Sequence, residues 1–119
     1  LDYCQNHQKK MMVITLCPRV ARQLIEGHER YDQEIVDFFI GKNIQHFDMN
    51  LVHAEDYRSF RLSVDDYFSR YFIGHYNPTG NHLFAYSFKD HLVNWLNPKP
   101  ITYHNSQEET IDFTEYLPN

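Results

Sequence analysis

Cysteine is scarce in this chain: Cys4 and Cys17 are the two thiols among 119 residues, and no Cys-x-x-Cys pair exists. That excludes a disulfide framework and a cysteine zinc site, and leaves each thiol reading as a small apolar residue. Cys17 has a second reading as a minor candidate nucleophile, because it stands where a buried strand would end, at the position where open α/β sheets hold ligands. Long apolar runs are missing too. Met11 to Leu16 is the longest, far too short to span a bilayer. Clustered positive charge is also absent: the 11 Lys and Arg are scattered among 16 Asp and Glu for a net charge of −5, which argues against nucleic acid as a partner. The eight histidines include no pair at i, i+4 and nothing like His-Glu-x-x-His, so no metal is expected. The two nearest approaches, His46 with Asp48 and His53 with Asp56, lack an evident third ligand.

What the chain does hold suits a folded domain: 42% hydrophobic residues, 23% charged, and 16% aromatic, with nine Tyr and nine Phe. Leu1 to His7 reads as the end of a helix. Met11 to Leu16 is continuously apolar, the pattern of a parallel strand covered on both faces, and Cys17-Pro18 ends it. From Arg19 to Arg30 the spacing of Val20, Leu24 and Ile25 allows at most a short helix. Tyr31 to Ile40 is a stronger helix with Tyr31, Ile35, Phe38 and Phe39 on one face and Gly41 as its C-terminal cap, and Ile44 to Met49 is a second strand. Strand, helix and strand imply a right-handed crossover and a parallel pair.

Leu51 to Leu62 reads as irregular. Ser63-Val64-Asp65-Asp66 is a capping box with Asp in place of Glu, opening a short helix whose Tyr67, Phe68, Tyr71 and Phe72 supply buried contacts. Asn77 then reads as an N-cap and Pro78 as the first residue of a long helix, striped by Phe84, Phe88, Leu92 and Leu96 and stopped by Asn97-Pro98. His82 and His91 fall off that stripe, in solvated or half-buried positions. Residues 104–119 read as a polar, acidic tail after the domain of residues 1–103.

The richest segment chemically is His75-Tyr76-Asn77-Pro78-Thr79-Gly80-Asn81. It sets an imidazole just ahead of a helix start, where the positive end of the dipole favours the neutral ring that a general base needs. No serine among Ser59, Ser63, Ser69, Ser87 and Ser106 sits on a Gly-rich strand-to-helix elbow. The chain thus holds a base without a nucleophile. Two parallel strands also make a poor sheet by themselves, and together these points read as part of a larger α/β domain.

The order strand, helix, strand ending in Phe47-Asp48, linker, and the His75 block leading into a helix resembles the C-terminal part of SGNH/GDSL-type hydrolases. The resemblance implies a three-layer α/β/α, flavodoxin-like parallel-sheet domain that hydrolyses esters or removes acetyl groups from carbohydrates or lipids, with no cofactor. It implies that His75 is the catalytic base and that Asn77, Pro78 and Gly80 shape the turn presenting it. The family carries Asp three residues before the histidine, where this chain has Phe72. His75 would then work in a dyad, or be oriented by Asp48, Asp65 or Asp66, or belong to a degenerate site; Asp65 and Asp66 also have a capping role. The serine would lie upstream of Leu1, so these residues alone are expected to be inactive. Two alternatives stand beside the esterase: a polysaccharide O-acyltransferase built from the same parts, and a non-catalytic segment in which Tyr57, Tyr67, Tyr71 and Tyr76 line a carbohydrate or protein surface.

Overall fold

The computed structural model describes residues 2–97. Eight elements follow one another: α1 (Asp2–Asn6), β1 (Met12–Thr15), α2 (Pro18–Ile25), α3 (Gln33–Gly41), β2 (Gln45–Asp48), α4 (Met49–Tyr57), α5 (Val64–Tyr71) and α6 (Pro78–Leu96). This is a mixed α/β arrangement in which β1 and β2 form a two-stranded parallel sheet, paired from Met12↔Gln45 to Thr15↔Asp48. The acidic segment 104–119 lies outside the described residues.

The core is made by helices. Ala21, Tyr67, Phe68 and Tyr71 form its centre, and Ile25, Tyr57, Phe60, Val64, Phe72, Tyr76 and Leu83 pack around them. Burying each large side chain contributes roughly 1.5–3 kcal/mol, so this one cluster carries much of the stability. Helix α2 supplies Val20 and Ala21, both fully buried, and packs on α4 and α5. It is more central than the modest apolar content of residues 19–30 suggested, because small Ala21 lets the aromatic rings of α5 come close.

Four expectations change. Of the segment Leu51 to Leu62, residues 51–57 are helical rather than irregular, while residues 58–62 form the irregular link to α5. The helix starts at the strand end itself, for the Asp48 carboxylate accepts the Asn50 N–H as an N-cap at 3.0 Å. Strand β1 is not covered on both faces by the described residues: Ile14 and Leu16 are 39% and 37% exposed. The apolar face of α3 is likewise open, with Ile35 and Phe38 exposed and Tyr31 outside the helix. Gly41 remains helical, and Asn43 makes the left-handed turn after it at φ 52°, which its short polar side chain tolerates.

The two N-cap signals form as read, whereas the stripe of α6 is half-buried at Phe84, Phe88 and Leu92 and exposed at Leu96. Ser63 caps α5, its Oγ accepting from Asp66 N at 3.1 Å and donating to Asp66 Oδ2 at 2.7 Å. Asn77 caps α6 through Gly80 N at 2.9 Å. At the far end Asn97 turns left-handed, and Lys10 Nζ donates to the Trp95 and Leu96 carbonyls at 3.1 Å each, satisfying groups the helix leaves unpaired.

Candidate functional site

His75 stands on the short loop between α5 and α6. Phe72 and Tyr76 pair across that loop as an isolated antiparallel bridge, their rings stacked at 4.7 Å and 25°. Ile73 N donates to His75 O at 2.8 Å, Asn77 N donates to Tyr71 O at 2.9 Å, and Gly74 takes φ +90°, where a side chain would be strained. The loop is therefore closed by backbone bonds on both sides of the exposed imidazole.

The tautomer of His75 follows from its one hydrogen bond. Nδ1 lies 2.8 Å from the Tyr76 carbonyl oxygen, which can only accept, so Nδ1 carries a proton, and in the neutral ring the lone pair is on Nε2. A backbone carbonyl thus fills the orienting position that the neighbouring Phe72 cannot. Asn77, Pro78 and Gly80 sit at the same junction: Asn77 accepts from Gly80 N and donates through Nδ2 to Arg70 O at 2.9 Å, and Pro78 opens α6. Gly80 is buried for a steric reason, since a Cβ there would fall 2.5 Å from Tyr71 O and into the Tyr76 ring.

Asp48 belongs to a different place. Its Oδ2 accepts from Arg30 at 2.5 Å, and its Oδ1 accepts from Thr15 at 3.2 Å and from Asn50 Nδ2 at 2.8 Å as well as Asn50 N. Both oxygens are committed and neither bonds to His75. Arg30 also forks onto Asp32 at 2.6 and 2.9 Å, which raises the guanidinium's pKa and holds the Asp32 carboxyl below the usual carboxylate range. His46 bonds the Thr15 hydroxyl at 2.9 Å, so His46 and Asp48 meet through Thr15 on one face of β2. Asp65 holds Arg22 at 2.6 Å and Asp66 holds Ser63; neither bonds to His75.

Cys17 lies at the start of α2, its N–H donating to Asn50 Oδ1 at 2.8 Å and its Sγ 3.4 Å from Tyr31 Oη. Burial pushes this thiol up, but the Tyr31 hydroxyl and the Val20 and Arg19 N–H groups outweigh it and leave it below its ordinary value. His82 is exposed, whereas His91 is half-buried between Phe47 and Phe88 and bonds Gln45 at 3.1 Å. Among the described residues no three His, Cys, Asp or Glu gather as a metal site.

His53 went unmarked in the sequence except for its spacing from Asp56, and it is fully buried on α4. Nδ1 is 2.9 Å from Tyr67 Oη, and Nε2 is 2.6 Å from Tyr76 Oη. The proton directions can be deduced. Tyr71 Oη donates to Asp56 Oδ2 at 2.7 Å, and Tyr67 Oη reaches the same oxygen at 3.0 Å. The single Tyr67 proton goes to that carboxylate or to the His53 backbone carbonyl at 3.1 Å, and in either case Tyr67 accepts from His53 Nδ1–H and Nε2 accepts from Tyr76. Burial lowers the His53 pKa to about 4, partly opposed by Asp56, and burial raises the phenols of Tyr67, Tyr71 and Tyr76.

Beside Phe72 a shallow groove of about 340 Å³ runs between α2 and α5, lined by Pro18, Arg19, Arg22, Phe68 and Phe72. Its mixture of aromatic and cationic surface suits a ligand with an apolar part and a polar or anionic part. Compared with known proteins, the chain matches no family model, no curated protein and no solved structure.

Proposed function

We propose that this chain supplies the general-base histidine of an SGNH-like ester hydrolase, an esterase or deacetylase acting on an acylated carbohydrate or lipid. The observation that carries this reading is the contact of His75 Nδ1 with the Tyr76 carbonyl oxygen at 2.8 Å on an exposed ring. That carbonyl holds the Nδ1 proton, and in the neutral ring Nε2 is left bare. In the proposed reaction a serine from outside these 119 residues attacks the ester carbonyl while Nε2 takes the hydroxyl proton. The tetrahedral intermediate collapses to an acyl-serine, and the imidazolium returns that proton to the departing alcohol. Water, deprotonated at the same nitrogen, then attacks the acyl-serine, and the imidazolium returns the proton to the serine oxygen as the acid departs. The proposal includes the wider three-layer flavodoxin-like sheet, of which β1 and β2 would be two strands; the parallel pairing and the open faces of β1 and α3 fit it.

This would be a dyad, because Asp48 is engaged by Arg30, Thr15 and Asn50. Acyl transfer to a polysaccharide hydroxyl would use the same base, with a sugar replacing water in the second half. The tyrosine-lined binding surface loses support, since Tyr67 and Tyr71 are buried in the core and Tyr57 and Tyr76 pack against it.

In the full-length protein, a fluorophosphonate serine probe should label one serine, and acetyl-ester turnover should fall by about 10³-fold or more in His75→Ala with the melting temperature nearly unchanged. Undiminished turnover in that variant sinks the assignment. Free acetate as the sole product supports hydrolysis, whereas acetyl appearing on added glycan identifies the transferase.

A further inference from the structure

Resting on the reading of His75 as base, we infer that His53 is a positioning residue for the His75 loop, acting through the hydroxyl of Tyr76. The carbonyl that fixes the His75 tautomer belongs to Tyr76, so wherever Tyr76 sits, the acceptor for His75 Nδ1 sits with it. Tyr76 is held from three sides. Its hydroxyl donates to His53 Nε2 at 2.6 Å, its ring stacks on Phe72, and the same ring lies against Gly80 in the first turn of α6.

His53 is a firm anchor for that hydroxyl. It is fully buried on α4, and its second nitrogen is tied through Tyr67 to the Asp56 carboxylate. The ring therefore cannot turn over without breaking a bond at each nitrogen, and its acceptor stays aimed at Tyr76. His53 has no exposed surface, so its effect on chemistry passes through one phenol and one carbonyl. Small displacements of a base are costly to rate while leaving ground-state binding little affected.

The discriminating variant is Tyr76→Phe, which keeps the stacked ring and removes only the hydroxyl, studied in the full-length protein beside Tyr71→Phe. The control removes a hydroxyl from the same network that bonds Asp56 rather than His53. Tyr76→Phe should lower kcat by roughly tenfold to a hundredfold with KM unchanged, and should speed amide exchange at Ile73 and Asn77 by about tenfold. Tyr71→Phe should lower the melting temperature while leaving kcat and those two amides alone. Unchanged exchange at Ile73 and Asn77 in Tyr76→Phe overturns the inference whatever the turnover. So does an equal loss of kcat in both variants. A full-length protein that turns over no ester fails the base assignment instead, and the exchange result then still decides whether the hydroxyl holds the loop.

Discussion

The corner formed by α4, α5 and the start of α6 and the sheet region of β1, β2 and α3 solve the burial problem in opposite ways. The corner spends its aromatic side chains on one another: Tyr67, Phe68 and Tyr71 are buried, and His53 has a hydroxyl at each nitrogen. The sheet region is tied at its strand ends by ion pairs through Arg30, yet Ile14, Ile35, Phe38 and Ile40 are 39–70% exposed. The lesson is that apolar composition alone does not locate a core. Aromatic rings bearing hydroxyls closed a unit with their own polar partners, while the aliphatic strand still offers surface that further packing could cover.

Breaking the charged tie should give the largest effect. Arg30→Ala leaves Asp32 and Asp48 together at the strand ends and should cost about 3–5 kcal/mol by urea unfolding; a loss below 1 kcal/mol would mean that the ion pairs do not hold the sheet region. Acid comes next. The unfolded chain binds a proton on His53 near pH 6.5, whereas the folded corner resists it until about pH 4. The stabilisation is therefore complete above pH 6.5, declines as the pH falls between these values, and is lost below the lower one. A difference of that size corresponds to roughly 3 kcal/mol. Histidine NMR should show His53 failing to titrate at pH 5, and an ordinary titration would show that the corner is not sealed.

Tyr67→Phe should cost about 2 kcal/mol, since it strips a partner from both His53 and Asp56 while keeping the ring. The smallest effect belongs to the open face. Phe38→Ser should change stability by no more than about 0.5 kcal/mol in the isolated chain. A markedly larger loss would show that α3 is covered in solution and would narrow the contrast between the two regions.

The same contrast explains what was legible beforehand. Local signals survived: the apolar run of β1, the Ser63 and Asn77 caps and the Pro78 start depend on neighbours in sequence, and the structure forms each of them. Helix α4 has no such signal: its buried face is Met49, Asn50 and His53, two of them polar, so no apolar period marks it. Asp48, the end of β2, is also the cap of that helix. The face of α3 was visible as a pattern, but a pattern cannot say what will cover it. For His75 the sequence pointed to a base ahead of a helix; the proton on Nδ1 could be assigned only once the Tyr76 carbonyl was in place.

Gly80 carries a warning for anyone stabilising this protein by rational substitution. Glycine in a helix usually invites replacement by alanine, with a gain of about 0.5–1 kcal/mol. Here the added methyl would press on the Tyr71 carbonyl and the Tyr76 ring, so the backbone of two helices would have to part. A change that ranks as an improvement on helix propensity would act as a wedge, and its damage would surface at the loop below rather than in the helix that was edited.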